Sequence, residues 1–428
     1  MQLIIGAATL VGTYAVLRSR NILEEKDTRS KVASTAASTT VSSGSSPALL
    51  LDGNVAKAQP SSDIFVLDGA SPGDFKVLTK LMENLSSPFY RLSKENGDQT
   101  SGGLINRDDV IIIKVNSQWD QRGGTNTDLL REIIETISNH PEGFIGEIIV
   151  ADNGQAQFGG QRSGGSLDWE ENNAEDRSQS IQRVVDSCSK VCAASAYLWD
   201  KITTTQVKEY SEGDMTDGYI VEQSANPTTG IKVSYPKFKT KFGTYVSFKL
   251  GIWDANKKSY DDKRLKVLNV PVLKTHSIYG VTACIKHYMG VGSDKLGTGA
   301  HASVGKGGMG TEMAQTRMPT LNILDATWIN ANPENGPRSS YETASRVNVL
   351  MASRDPIALD YWAAKHVLMQ TARALGHQRL SSIDPDNRAT GLGNWLRLSM
   401  QELQKAGHQV TLNEDQINVH VRNLMQVP

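Results

Sequence analysis

Hydrophobic positions in this chain fall into short unbroken runs separated by amphipathic stretches. DDVIIIKVN, residues 108–116, is apolar through its centre, and GEIIVADNG, residues 146–154, repeats the pattern. Between them DLLREIIETISNH, residues 128–140, carries its apolar side chains at helical spacing. Strand, helix and strand in this order predict a β-α-β crossover. Strands that are apolar on both faces predict a mostly parallel sheet covered by helices on both faces, an α/β fold. DIFVLDG and SPGDFKVLTKLMENL, residues 63–85, add a strand and a helix before this unit. After it come strands in RLKVLNVPVL, TLNILDATW and RVNVLMASRD, a helix in PIALDYWAAKHVLMQTARAL, a further helix around NWLRLSMQELQKAG and a closing strand INVHV.

Other segments break the α/β rhythm. IKVSYPKFKTKFGTYVSFKLGIW, residues 231–253, alternates polar and apolar residues around Gly and Pro, which predicts an antiparallel β insertion over about 202–262. Residues 153–180 form a long Gly-rich and then acidic stretch without periodicity, of the kind that is functional or disordered in a compact domain. At the start, LIIGAATLVGTYAVL, residues 3–17, has no charge and is followed by Arg18 and Arg20. It is shorter than the roughly 20 residues of a usual span and has no basic flank before it. A membrane anchor over 1–20 is expected, with the body on the cytoplasmic side by the positive-inside rule; an export signal is the alternative. Residues 21–60, rich in Ser and Thr, read as a disordered tether, and 61–428 as the α/β domain.

The 428 residues carry a formal net charge of −1, 39% hydrophobic and 21% charged residues. That is globular composition without a global field to gather nucleic acid, so anion recognition must come from local geometry. Three cysteines form neither a disulfide framework nor a CxxC metal site. Cys188 and Cys192 stand i, i+4 on an expected helix, as small apolar residues or as a redox pair.

The chemistry concentrates in VLKTHSIYGVTACIKHYMGV, residues 272–291, where Lys274, His276, Lys286 and His287 interrupt an apolar run. A buried ammonium is costly unless it is paired or gives up its proton, so anionic company is expected. The spacing predicts a strand, the loop KTHSIYG, and a helix of two to three turns ended by Gly290. On that helix Thr282 and Lys286 share a face and look toward Lys274 and His276, so that basic groups converge on the free N-H groups of a helix N-terminus, a ready anion site. Asn116 and Asp152 fall at strand C-terminal ends, where ligands collect in parallel sheets. Further acids are Asp325, Asp355 and Asp360. Asp355 before Pro356 reads as a helix N-cap, whereas Asp360 reads as an ion-pair partner of Lys274 or Lys286, or as a ligand of a divalent metal of unknown identity. The Gly-rich stretch 290–312 lacks the order of a phosphate-binding loop and reads as a mobile cover, with His301 available.

The blocks IIIKVN, VADNG, VLKTHSIYGVTACIKHYMG and ASRDPIALD, in this order, resemble the family known as domain of unknown function 362. The Lys-x-His, Thr, Lys and Met-Gly block is the specific part. The resemblance implies an α/β domain without an assigned activity. Some family members carry ferredoxin-type cysteine clusters; this chain has no such cysteines, so no iron-sulfur cluster is expected from it. Val115 stands where the family often has Pro, and His287 where Asn usually follows the Lys, which places a second imidazole beside the site. Three readings follow. In the first, a membrane-tethered protein binds a small phosphorylated or carboxylated molecule at Lys274, His276, Thr282, Lys286, His287, Asn116, Asp152 and Asp360, with His276 as acid or base and the lysines stabilising negative charge. In the second, the same groups form a buried structural network without catalysis. The third is a redox protein.

Overall fold

The computed structural model describes residues 62–93, 102–155, 164–169 and 171–425. The expected anchor and tether lie outside these residues. The elements are β1 (Ser62–Asp68), α1 (Phe75–Asn84), β2 (Val110–Lys114), α2 (Thr127–Ser138), β3 (Glu147–Asp152), α3 (Ile181–Cys188) and β4 (Ala194–Leu198). Then come five short strands, β5 (Gly218–Val221), β6 (Ser234–Lys239), β7 (Tyr245–Ser247), β8 (Gly251–Asp254) and β9 (Ser259–Asp261). The chain continues through β10 (Leu265–Asn269), β11 (Val272–His276), β12 (Gly280–Thr282), α4 (Cys284–His287), α5 (Ala300–Ser303), α6 (Gly308–Gln315), β13 (Leu321–Asn330) and β14 (Ser345–Ser353). It closes with α7 (Pro356–Ala363), a π-helical turn into α8 (Met369–Ala374), α9 (Gly391–Lys405) and β15 (Ile417–Asn423).

The main sheet has the order β15-β1-β14-β13-β10-β2-β3-β4, with β11 paired to β13 and β12 to β11. Its pairs are mostly parallel; β1 with β14 and β14 with β13 are antiparallel. Alternation along β2 shows why the runs are apolar throughout. Val110 and Ile112 join one buried cluster, with α4, α6, α7 and α9 and the antiparallel strands. Ile111 and Ile113 join another, with α1, α2 and α3. Each strand thus buries both faces, as in a sheet covered on two sides. The β5-β9 sheet is antiparallel throughout, with Trp199, Tyr219, Phe238 and Phe248 packed in the first cluster.

Strand order reverses between β2 and β10. From β2 the chain steps outward to β3 and β4, then returns to β10 on the other side of β2. Such a switch point leaves a crevice at the C-terminal ends of the strands. The stretch 290–312, expected as a mobile cover, holds short helical turns, α5 and the start of α6, and added Cβ atoms on Gly307 and Gly310 would crowd Leu398 and Ser399 of α9. The helix bearing Cys188 ends at that residue, with Cys192 in the following turn. Burial pushes the Cys188 thiol up, the direction opposite to a reactive thiolate. Among the described residues no helix is long and apolar enough to cross a membrane.

Candidate functional site

At the end of β2 the alternation that buries Val110 and Ile112 also buries Lys114, 1% exposed. Its ammonium lies 2.7 Å from Asp152 Oδ1 at the end of β3. The other carboxylate oxygen accepts from the Ser117 backbone N-H at 2.7 Å and its hydroxyl at 3.1 Å. Burial lowers the Lys114 pKa, and Asp152 opposes that shift. Both residues are thus held by each other, a buried pair with extra hydrogen bonds. Gly290 seals this pair. A Cβ there would collide with Asp152 Oδ1 and Lys114 Nζ, so its small size answers a close approach at the place where the 3-10 turn Tyr288–Gly290 ends the helix, as expected.

The basic stretch folds differently from the helix its spacing suggests. β11 and β12 form a hairpin in which Lys274 stands opposite Thr282 and His276 opposite Gly280. The helix starts only at Cys284, as the single turn of α4 continued by the 3-10 turn Tyr288–Gly290. Thr282 therefore belongs to a strand. The N-terminus of α4 is not open to an anion: Asp360 accepts from the Cys284 N-H at 2.7 Å and the Ile285 N-H at 2.9 Å. Asp360 is fully buried, and burial pushes its carboxyl up to about 7 against the pull of those donors. It holds the helix turn, and it is neither the partner of Lys274 or Lys286 nor a wall of the cavity described next.

A cavity of about 280 Å³ opens at the switch point, lined on its polar side by Lys114, Asn116, Asp152, His276, Thr282, Lys286 and His287. Its apolar side is made by Trp119, Tyr279, Ile278 and Met289. The volume sits near the lower end of the roughly 300–1,000 Å³ of small-molecule pockets. Six of the eight residues expected at the site meet here. Lys274 does not line the cavity: it is fully buried, and its ammonium donates to the Gly123 carbonyl at 2.5 Å. Burial drives its pKa well below the ordinary value, reinforced by the charge of Lys286.

Several groups on the cavity wall are unsatisfied. Asn116 Oδ1, Thr282 Oγ1 and His287 Nε2 are buried without a hydrogen-bond partner, although such atoms are ordinarily paired. Lys286 is 7% exposed. Its nearest recorded partner is the Tyr279 ring, with the centroid 5.0 Å from Nζ. Among the described residues no carboxylate lies within ion-pair distance of it. Burial, then the charge of Lys114, bring its pKa down to about 8.

Two of the imidazoles on the wall, His276 and His287, are neutral and complementary. His276 Nδ1 accepts from the backbone N-H groups of Ile278 and Tyr279, at 3.2 and 3.4 Å, which leaves the ring proton on Nε2. Burial, with Lys286 and Lys274 nearby, pushes its pKa down to about 2. In His287 the arrangement is reversed. Asn269 spends its amide donor on Cys284 O and Asn322 Oδ1, so its Oδ1, 2.7 Å from His287 Nδ1, accepts from the ring. His287 Nε2 is then a bare acceptor. Burial and the charge of Lys114 keep this ring neutral. His276 and His287 thus give the cavity an imidazole donor and an imidazole acceptor, and Lys286 an ammonium without a counter-ion among the described residues.

Two contributors, Lys114 and Gln155, escaped the sequence reading, and His301, expected only as available on the Gly-rich stretch, joins the wall as well. Lys114 carries a signal, a charge closing an apolar run at a strand end. Gln155 clamps the chain after Gly290, its amide donating to Met289 O at 2.6 Å and Gly292 O at 2.7 Å. His301 reaches the cavity wall from α5, its Nδ1 2.8 Å from Asp294 Oδ2. Asp355 caps α7, accepting from the Ile357 and Ala358 N-H groups, and Asp325 accepts from Thr327. Among the described residues no three His, Cys, Asp or Glu side chains group as a metal site.

A stretch of 129 residues is 32% identical to a thylakoid-associated protein of Synechocystis sp.. It covers 27% of this chain and 39% of that relative, so the chain spans well under two thirds of the protein it resembles. No solved structure matches the chain. Residues 264–365, from β10 to the π-helical turn after α7, match the family model described as Domain of unknown function (DUF362), the family that the lysine and histidine blocks resemble.

Proposed function

We propose that the cavity binds a small organic anion, a carboxylate joined to an apolar or aromatic body. One observation carries this reading: Lys286 is a nearly buried ammonium with no anion beside it. An ion so placed is costly unless a partner arrives, and the adjacent Asn116, Thr282 and His287 atoms lack partners too. A carboxylate suits the site better than a phosphate dianion. Lys114 is already neutralised by Asp152, Lys274 is tied to Gly123, and the α4 N-terminus is filled by Asp360. Among the described residues of the cavity, one free cation and neutral donors remain. The apolar side of Trp119, Ile278 and Met289 takes the body of the ligand. In this assignment Lys286 and His276 face the ligand, His287 and Thr282 flank it, and Lys274 acts through the loop that carries Trp119. The buried-network reading then describes Lys114 and Asp152 but not Lys286.

The same proposal keeps the domain at a membrane through residues 1–20, supported by their apolar run and by the description of the relative as thylakoid-associated. Titration of the full chain with pyruvate, benzoate and inorganic phosphate, read by Trp119 fluorescence, tests the ligand class. Saturable binding of a carboxylate is expected, weakened at least about tenfold in Lys286→Ala, the loss of one charge-assisted contact of about 1.5–3 kcal/mol, and retained in Lys286→Arg. Equal binding by Lys286→Ala and the unaltered chain would remove the proposal.

A further inference from the structure

We infer that Lys286 is a nucleophilic amine that captures the carbonyl carbon of a small 2-oxo acid as a Schiff base in this cavity. The inference rests on the carboxylate-site reading above and names the reactive group of the ligand.

The geometry separates Lys286 from the other buried lysines of the region. Lys114 is locked at 2.7 Å to a carboxylate and Lys274 at 2.5 Å to a carbonyl oxygen. Lys286 has neither, and it opens into a space of about 280 Å³. A lysine becomes a nucleophile when desolvation or a neighbouring cation favours its neutral form. Both conditions hold here, from burial and from Lys114. The surrounding groups match the needs of amine addition. His287 Nε2 is an unpartnered acceptor on the next residue, and Thr282 Oγ1 is an unpartnered hydroxyl on the same wall. His276 supplies a neutral donor for the carboxylate or for the carbonyl oxygen. Trp119 and Met289 limit water and receive the alkyl or aryl end.

The step balances without an oxidant. The Nζ lone pair bonds to the carbonyl carbon as the C=O π bond opens toward oxygen, and a proton moves from nitrogen to that oxygen. Loss of the oxygen as water, with the second nitrogen proton, leaves C=N. His287 Nε2 and Thr282 Oγ1 are the groups placed to relay both protons.

Incubation of the full chain with pyruvate and sodium cyanoborohydride, whose hydride turns C=N into a stable secondary amine, followed by peptide mass mapping, tests this. Labelling at Lys286 is expected to exceed that of any surface lysine by at least about tenfold, and to vanish at that position in Lys286→Arg. Thermal melts of both chains identify a folding failure, and the position of the label in the unaltered chain decides the question whatever the Arg variant does. If pyruvate binds but label spreads evenly over surface lysines, the Schiff-base inference falls and the carboxylate reading stands. If pyruvate neither binds nor labels, both fall.

Discussion

Two buried lysines in different parts of the molecule show what an ordinary solution looks like and what departs from it. Lys237, on β6 of the antiparallel sheet, is fully buried. It donates to the Asp214 carbonyl at 2.6 Å, lies 3.8 Å from the Asp214 carboxylate, and sits over the Tyr210 ring. Burial lowers its pKa and Asp214 raises it back. Lys286, in the cavity wall, has an aromatic ring but neither carbonyl nor carboxylate. The antiparallel sheet uses its lysine to hold a loop. The cavity keeps its lysine unsatisfied, and a fold that retains an unneutralised cation is giving up stability that function can recover.

Four measurements sharpen or break this contrast. The largest effect belongs to Asp152→Ala, which strands Lys114 at 1% exposure; a loss of about 3–5 kcal/mol in denaturant unfolding is expected, with most of it restored by adding Lys114→Met. A loss below about 1 kcal/mol would mean that Lys114 escapes to solvent and that the pair is no anchor. Next, Lys237→Met removes a satisfied donor and is expected to cost about 1–3 kcal/mol. Lys286→Met should do the opposite and stabilise by about 1–2 kcal/mol at pH 7, because replacing a buried charge with an apolar side chain of similar volume is favourable when nothing pairs it. A matching loss in both variants would erase the contrast.

The gentlest effect is a slope. The folded pKa of Lys286, about 8, lies below its ordinary 10.5. Between those values the unfolded chain holds a proton that the folded chain has released, so stability rises with pH there by at most about 1.4 kcal/mol per unit. Lys286→Met should abolish that contribution. A contribution of the opposite sign would show that Lys286 has an anionic partner in the folded chain.

The parallel strands were readable because both faces of each are buried, so VIIIK and EIIVAD are apolar at every position of their centres. The cap at Asp355 and the placement of Asn116 and Asp152 at strand ends followed from local rules that the structure keeps. The basic stretch was harder. KTHSIYGVT looks like a loop entering a helix, yet its three-residue strand β12 depends on Gly280, whose φ of +80° and close approach to Ser382 are set by residues about a hundred positions away. Asp360 reaches Cys284 and Ile285 across |i−j| of 76 and 75. Short-range spacing carries no trace of such contacts, and so a capping carboxylate was read as an ion-pair partner. Likewise the glycines near 307 were read as mobility, whereas they allow α6 to lie close on α9.

One further consequence follows from the chain's change of neighbour after β10. Val270 N-H still bonds Lys114 O on β2, but the Pro271 carbonyl already accepts from Asp325 on β13, and Val272 pairs with Asp325 and Lys274 with Asn330 across a register shift. Paired strands therefore frame one side of the recess, while Asn116, Gln118, Trp119 and residues 277–279 line it from loops. Enlarging it on the strand side would mean unzipping paired strands, so the amide protons of Val272 to Lys274 should be among the slowest in the chain to exchange with deuterated water. On the side of the paired strands, the size of a guest is then limited by the stiffness of the frame, and on the loop side by the side chains.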